Sequence, residues 1–77
     1  MSHYTPDAAE ITRLTPLEMY LDLYFEGLTP LLRQCVLNGA THGEIASLLS
    51  DNPYQRGPTA ATVSAWIRQR RQDGRLS

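Results

Sequence analysis

The residues best suited to chemistry in this chain lie at positions 59–71, TAATVSAWIRQRR. Arg68, Gln69 and Arg71 follow a run of small neighbours, Thr59, Thr62, Ser64 and Ala65. A guanidinium forms paired hydrogen bonds with a guanine edge, a phosphate or a carboxylate, and a glutamine amide pairs with adenine. Small side chains let the helix that carries them enter a groove and approach base edges. Arg56 and Arg75 flank the set, where a cation contacts backbone phosphate and positions without specifying sequence. The candidate nucleic-acid-binding residues are therefore Arg56, Thr59, Thr62, Ser64, Ala65, Arg68, Gln69, Arg71 and Arg75.

Other chemistries find little support. His3, His42 and Cys35 do not make a zinc set at any usual spacing. Cys35 falls at helical spacing with Leu31 and Leu32, which predicts a buried core thiol rather than a nucleophile. There is no glycine-rich phosphate loop, no paired-carboxylate cleft and no nucleophile–base arrangement. The expectation is a protein that is not an enzyme and needs no cofactor or metal.

Composition narrows the class further. The 77 residues are 42% hydrophobic, enough for a core, but a chain this size leaves no room for a cleft framed by two layers. A lone cysteine excludes an internal disulfide framework. The first residues lack a basic-then-apolar leader, and no apolar run approaches the roughly 20 residues of a membrane span. A cytoplasmic, membrane-free protein is expected.

All seven basic residues are arginine, and they are unevenly placed. Positions 1–58 hold three arginines against seven acids, a balance of −4, whereas positions 59–77 hold four against one, +3. The net charge of −1 is thus the sum of two opposed patches, as suits one nucleic-acid face and one protein face.

The elements that must position these residues are helical, since no segment alternates with the period of a strand. Thr15-Pro16-Leu17-Glu18 reads as a capping box opening a helix over 16–26, stopped by Gly27. Thr29-Pro30 opens a second, over 30–37, which ends at Asn38-Gly39. Thr41-His42-Gly43-Glu44 is another capping box, starting a helix to about 49 or 50. Residues 51–58, DNPYQRGP, form a loop, and a last helix runs from Thr59 to Gly74. The expected fold is all-α, with four helices, or five where a short first turn follows Pro6. A flexible segment at 1–14 precedes one domain at 15–74, and 75–77 is a tail.

Spacing also assigns faces. Val63, Trp66 and Ile67 bury one side of the last helix, while Ile45-Ala46 and Leu48-Leu49 meet it. In the first helix Leu17, Tyr20, Leu21 and Tyr24, with Leu28, form a core stripe. Met19 and Leu23 fall on another side beside Glu18, Asp22 and Glu26, making a candidate dimer or partner interface.

ATHGEIASLL followed by TAATVSAWI resembles the two helices of helix-turn-helix proteins, over about residues 40–72. Such units usually join their helices by three or four residues. The longer Pro/Gly-rich loop before a T-x-x-T-V helix looks more like the DNA-binding domain of large serine recombinases. The run LLRQCVLNGATHGEIASLL, with RQDG after the arginines, is also similar to a helical domain of antiactivators of conjugative-element transfer. There an arginine stands where this chain has Gly43. The first resemblance implies a small transcriptional regulator, a repressor, that binds double-stranded DNA as a homodimer. The second implies a protein-binding module that sequesters a regulator encoded on a mobile genetic element.

Overall fold

The computed structural model describes residues 14–76, so the expected flexible segment at 1–14 lies, apart from Leu14, outside the described residues. So do His3 and the turn expected after Pro6. Within the described residues there are four helices and no strand, as the sequence predicts. They are α1 (Pro16–Tyr24), α2 (Leu28–Leu37), α3 (His42–Leu49) and α4 (Ala60–Gln72).

Local chemistry explains most boundaries. Thr15 and Thr41 form the expected capping boxes with Glu18 and Glu44, each residue satisfying the other's free amide. Thr59 caps α4 by accepting from the Thr62 amide at 3.2 Å. Three helices end in the same way, with a left-handed residue followed by an amide that returns to a carbonyl five residues back. Gly39 and Gly74 take that role after α2 and α4, at φ 77° and 74°. The return bonds are Ala40 N to Cys35 O, 3.0 Å, and Arg75 N to Arg70 O, 2.8 Å.

The junction of α1 and α2 departs from expectation. α1 stops at Tyr24, and the left-handed residue is Glu26 (φ 56°) rather than Gly27. Gly27 instead takes φ 126°, ψ 97°, a backbone that side chains rarely tolerate, and becomes the N-cap of α2. α2 therefore begins at Leu28, two residues before Pro30. Asp22 makes this early start possible: its Oδ1 accepts from the Leu28 amide at 2.8 Å, supplying the cap that Gly27 lacks. Thr29, expected as the cap, is inside the helix, buried.

The core joins all four helices. Leu21 of α1, Leu28, Leu32 and Cys35 of α2, Ile45, Ala46 and Leu49 of α3, and Val63, Trp66 and Ile67 of α4 are buried together. Leu76 is buried with them, so the core runs past Gly74 into what the sequence suggested was a tail. Two residues assigned to the core from spacing, Tyr24 and Leu48, are instead exposed. Leu48 sits one position off the buried Ile45/Ala46/Leu49 line, and α1 ends at Tyr24 before a further turn could cover it.

The largest revision concerns charge. Glu18 and Asp22, read as surface acids, are both buried, and so is Arg70. Arg70 is the next member of the Val63, Trp66, Ile67 series, and its guanidinium lies wholly inside the protein. Its Nη2 meets Glu18 Oε2 at 2.7 Å, Nε donates to Thr29 Oγ1 at 2.8 Å, and Nη1 donates to Trp66 O at 3.3 Å. One cation thus ties α1, α2 and α4 together. Glu18 uses its other oxygen, Oε1, to accept from Thr15 N and Thr15 Oγ1.

Breaking a buried ion pair from one side costs about 3–5 kcal/mol because the remaining charge is stranded. A domain of this size has roughly 4–12 kcal/mol of total stability, so such a loss takes most of it. Arg70→Ala and Glu18→Gln should each lower the urea midpoint severely. Arg70→Met combined with Glu18→Gln should cost less than the sum of the single changes, as unfolding followed by circular dichroism would show. At the surface, the hydrogen bonds from Thr41 hold the Glu44 carboxyl below the usual glutamate range. A depressed folded-state value gives stability that is present above the unfolded value and lost as pH falls through the folded one. The melting-temperature gap between the native chain and Glu44→Ala should therefore be full near neutrality and close in acid.

Candidate nucleic-acid interface

α4 owes its two faces to one spacing rule. With Val63, Trp66, Ile67 and Arg70 turned inward, the opposite line is Ala61, Ala65, Arg68 and Gln72, all exposed. Gln69 and Arg71 are exposed beside this line, and Thr62 and Ser64 are half-buried on its shoulders. Ala61 and Gln72 were not among the residues singled out from the sequence, although the i, i+4, i+7, i+11 spacing includes them. The outward surface is small at its N-terminal end and arginine- and glutamine-bearing at its C-terminal end. α4 itself carries no acid.

Each expected site residue can now be placed. Arg68, Gln69, Arg71, Ala65 and Thr59 are exposed on or at the start of α4, and Arg56 is exposed on the loop before it. Thr62 is committed locally: its amide donates to Thr59 Oγ1, and the two hydroxyls share a hydrogen bond at 3.1 Å. Arg75 differs from the others. Its side chain is only 13% exposed and its Nη2 is 3.1 Å from Asp73 Oδ2, while its carbonyl accepts from Arg33 Nη2. Arg70 never belonged to the surface, so the solvent-facing charge of this region is carried by Arg68 and Arg71, with Arg56 nearby in sequence. Trp66 is 7% exposed on the inward side, where it packs rather than stacks on a ligand.

The loop between α3 and α4 is held by Asn52, a residue the sequence reading passed over. Asn52 is buried, and its side chain works in both directions. Nδ2 donates to Leu49 O at 2.9 Å and to Arg56 O at 2.6 Å. Oδ1 accepts from Tyr54 N and Arg56 N, each at 3.2 Å, and from the Tyr20 hydroxyl at 3.1 Å. Tyr20 also meets the ring of Tyr54 edge-on, with centroids 5.8 Å apart, and stacks with Tyr24 at 6.2 Å. Burial raises the Tyr20 phenol above its ordinary range, Tyr24 and Tyr54 add to this, and the Arg56 guanidinium opposes it. The signal available in the sequence was the Asn-Pro turn, since asparagine side chains bond to backbone a few residues on.

Met19 and Leu23 stand exposed on α1, as does Tyr24. Because Glu18 and Asp22 are consumed inside, the outer side of this helix is less acidic than its sequence suggests. Cys35 is buried, and burial pushes its thiol up, while His42 is exposed. Among the described residues no group of three His, Cys, Asp or Glu could hold a metal ion, and no helix is long and apolar enough to cross a membrane.

Close backbone approach also fixes the loop. A Cβ at Gly57 would lie 2.7 Å from Ser50 Cα, against backbone that cannot rotate away. Gly57→Ala should cost about 1–3 kcal/mol, the usual penalty of overpacking, read as a lower urea midpoint. Compared with known proteins, the chain matches no family model, no curated protein and no solved structure.

Proposed function

We propose that this protein is a small DNA-binding transcriptional regulator of helix-turn-helix type, a cytoplasmic repressor that acts as a homodimer. α3 and α4 serve as the two helices, and α4 is laid in the major groove of double-stranded DNA. The observation that carries this reading is the outward line of α4. Ala61 and Ala65 are small enough for close approach, and Arg68, Gln69 and Arg71 follow with no acid among them. Arg68 and Gln69 suit guanine and adenine edges, and Arg71 and Arg56 suit bases or phosphates. A single module of this kind buries only about 600–1,000 Å² on DNA, which favours a dimer on a palindromic site. Met19 and Leu23 are the candidate dimer surface.

One observation favours a second reading. The exposed Met19, Leu23 and Tyr24 lie on a helix whose acids at 18 and 22 are turned inward, a surface suited to a protein partner. On that reading the same scaffold is an antiactivator that captures a transcriptional regulator.

A mobility-shift assay separates the two. The first reading expects a salt-sensitive, sequence-specific complex with DNA from upstream of the protein's own gene. Arg68→Ala and Arg71→Ala should each weaken it by about 1–3 kcal/mol, the range of a good base contact. Absence of any shift at moderate salt, together with a stoichiometric complex with a regulator from the same genome, would overturn DNA binding in favour of the antiactivator.

A further inference from the structure

A reading helix is useful only if its angle to the preceding helix is fixed. Compact helix-turn-helix units fix it with a turn of three or four residues. Here residues 50–59 separate α3 from α4, long enough to let α4 settle at many angles if the loop were unrestrained. The structure shows two independent restraints. Asn52 gathers the end of α3, both backbone groups of Arg56 and the hydroxyl of Tyr20 onto one side chain. Gly57 lies against Ser50 with no room for a Cβ. Between them the backbone accepts a left-handed Gln55, φ 50°, a conformation that costs energy outside glycine and asparagine.

We infer that Asn52, braced by Tyr20, is the residue that positions the DNA-contacting half of α4, replacing the short turn with a side-chain clamp. This rests on the reading of α4 as a DNA-contacting helix. Arg56 is clamped at both its amide and its carbonyl. From there the chain passes through Gly57 and the buried Pro58 to Thr59, the cap of α4. The clamp is therefore transmitted to the first turn of the helix, where Ala61 and Thr62 begin the outward surface. Only an amide does this. It offers an acceptor and two donors on one short side chain, whereas a carboxylate would set negative oxygen against the carbonyls of Leu49 and Arg56.

The test uses the full chain with Asn52→Asp and, separately, Tyr20→Phe, which removes a single oxygen. The probes are a duplex selected by the native protein from a randomised library and a scrambled duplex of the same composition. Amide hydrogen exchange at Tyr54, Gln55, Arg56 and Gly57 reports the clamp itself. Both variants should exchange faster there, and the ratio of scrambled to selected Kd should fall roughly tenfold, the worth of one base contact. In Tyr20→Phe, which leaves the charge unchanged, the scrambled duplex, held by phosphate contacts, should keep its Kd and its salt dependence. A loss of global stability alone would weaken both duplexes equally and would not move the ratio. Faster loop exchange with an unchanged ratio overturns the inference and leaves the α4 reading intact. Unchanged exchange in both variants also overturns it. Failure of the native chain to select any duplex removes the α4 reading, and the inference with it.

Discussion

The buried guanidinium of Arg70 is the constraint on which the arrangement of helices depends. An arginine removed from water must find partners for its charge and its N–H groups, or fold elsewhere. Here the partners are Glu18 on α1, Thr29 on α2 and a carbonyl of α4 itself. Hydrophobic packing is tolerant of small slides, because one methyl group substitutes for another. A guanidinium fork is not, since its N–H directions are fixed. The pairing therefore selects one register of α1 and α2 against α4 from those that would bury similar apolar area. It also decides which arginines remain outside.

That division shapes the outward surface of α4. The count of arginines in the last third overstates the positive charge available to a ligand, since Arg70 is internal and Arg75 lies beside Asp73. What is left is a narrower surface along α4, two exposed arginines and two exposed glutamines on a helix free of acids. The acidic half of the chain is likewise less acidic outside than its composition implies. Glu18 and Asp22 are structural, one completing a helix start and an ion pair, the other capping the next helix. The two-pole picture survives, with weaker poles.

Much of the fold was legible from short-range pattern. Thr15 with Glu18, Thr41 with Glu44, and the glycines at 39 and 74 act within a few residues, so their spacing alone announces them. The inward line of α4 was equally plain, and it was legible one residue further than it was read, because Arg70 continues the spacing of Val63, Trp66 and Ile67. What spacing could not supply was the partner. Glu18 and Arg70 are 52 positions apart, and nothing local distinguishes a glutamate that also meets an arginine from one that only caps. The start of α2 was misplaced for a similar reason. Thr29-Pro30 is a good helix opening, but Asp22, from the helix before, caps the chain two residues earlier. Of the candidate interface, the exposed residues of α4 were legible from periodicity. The clamp on the loop was not, since it depends on a tyrosine from α1.

The double duty of Glu18 has an evolutionary consequence. Its two oxygens serve different ends, one closing the local capping box at Thr15 and the other meeting Arg70. No other side chain performs both tasks at once. Aspartate is a methylene too short to span both, and glutamine keeps the cap but abandons the cation. Positions 18, 29 and 70 are therefore bound to drift together or not at all. Descendants of this chain should vary freely along the outward line of α4 while this buried trio stays the same.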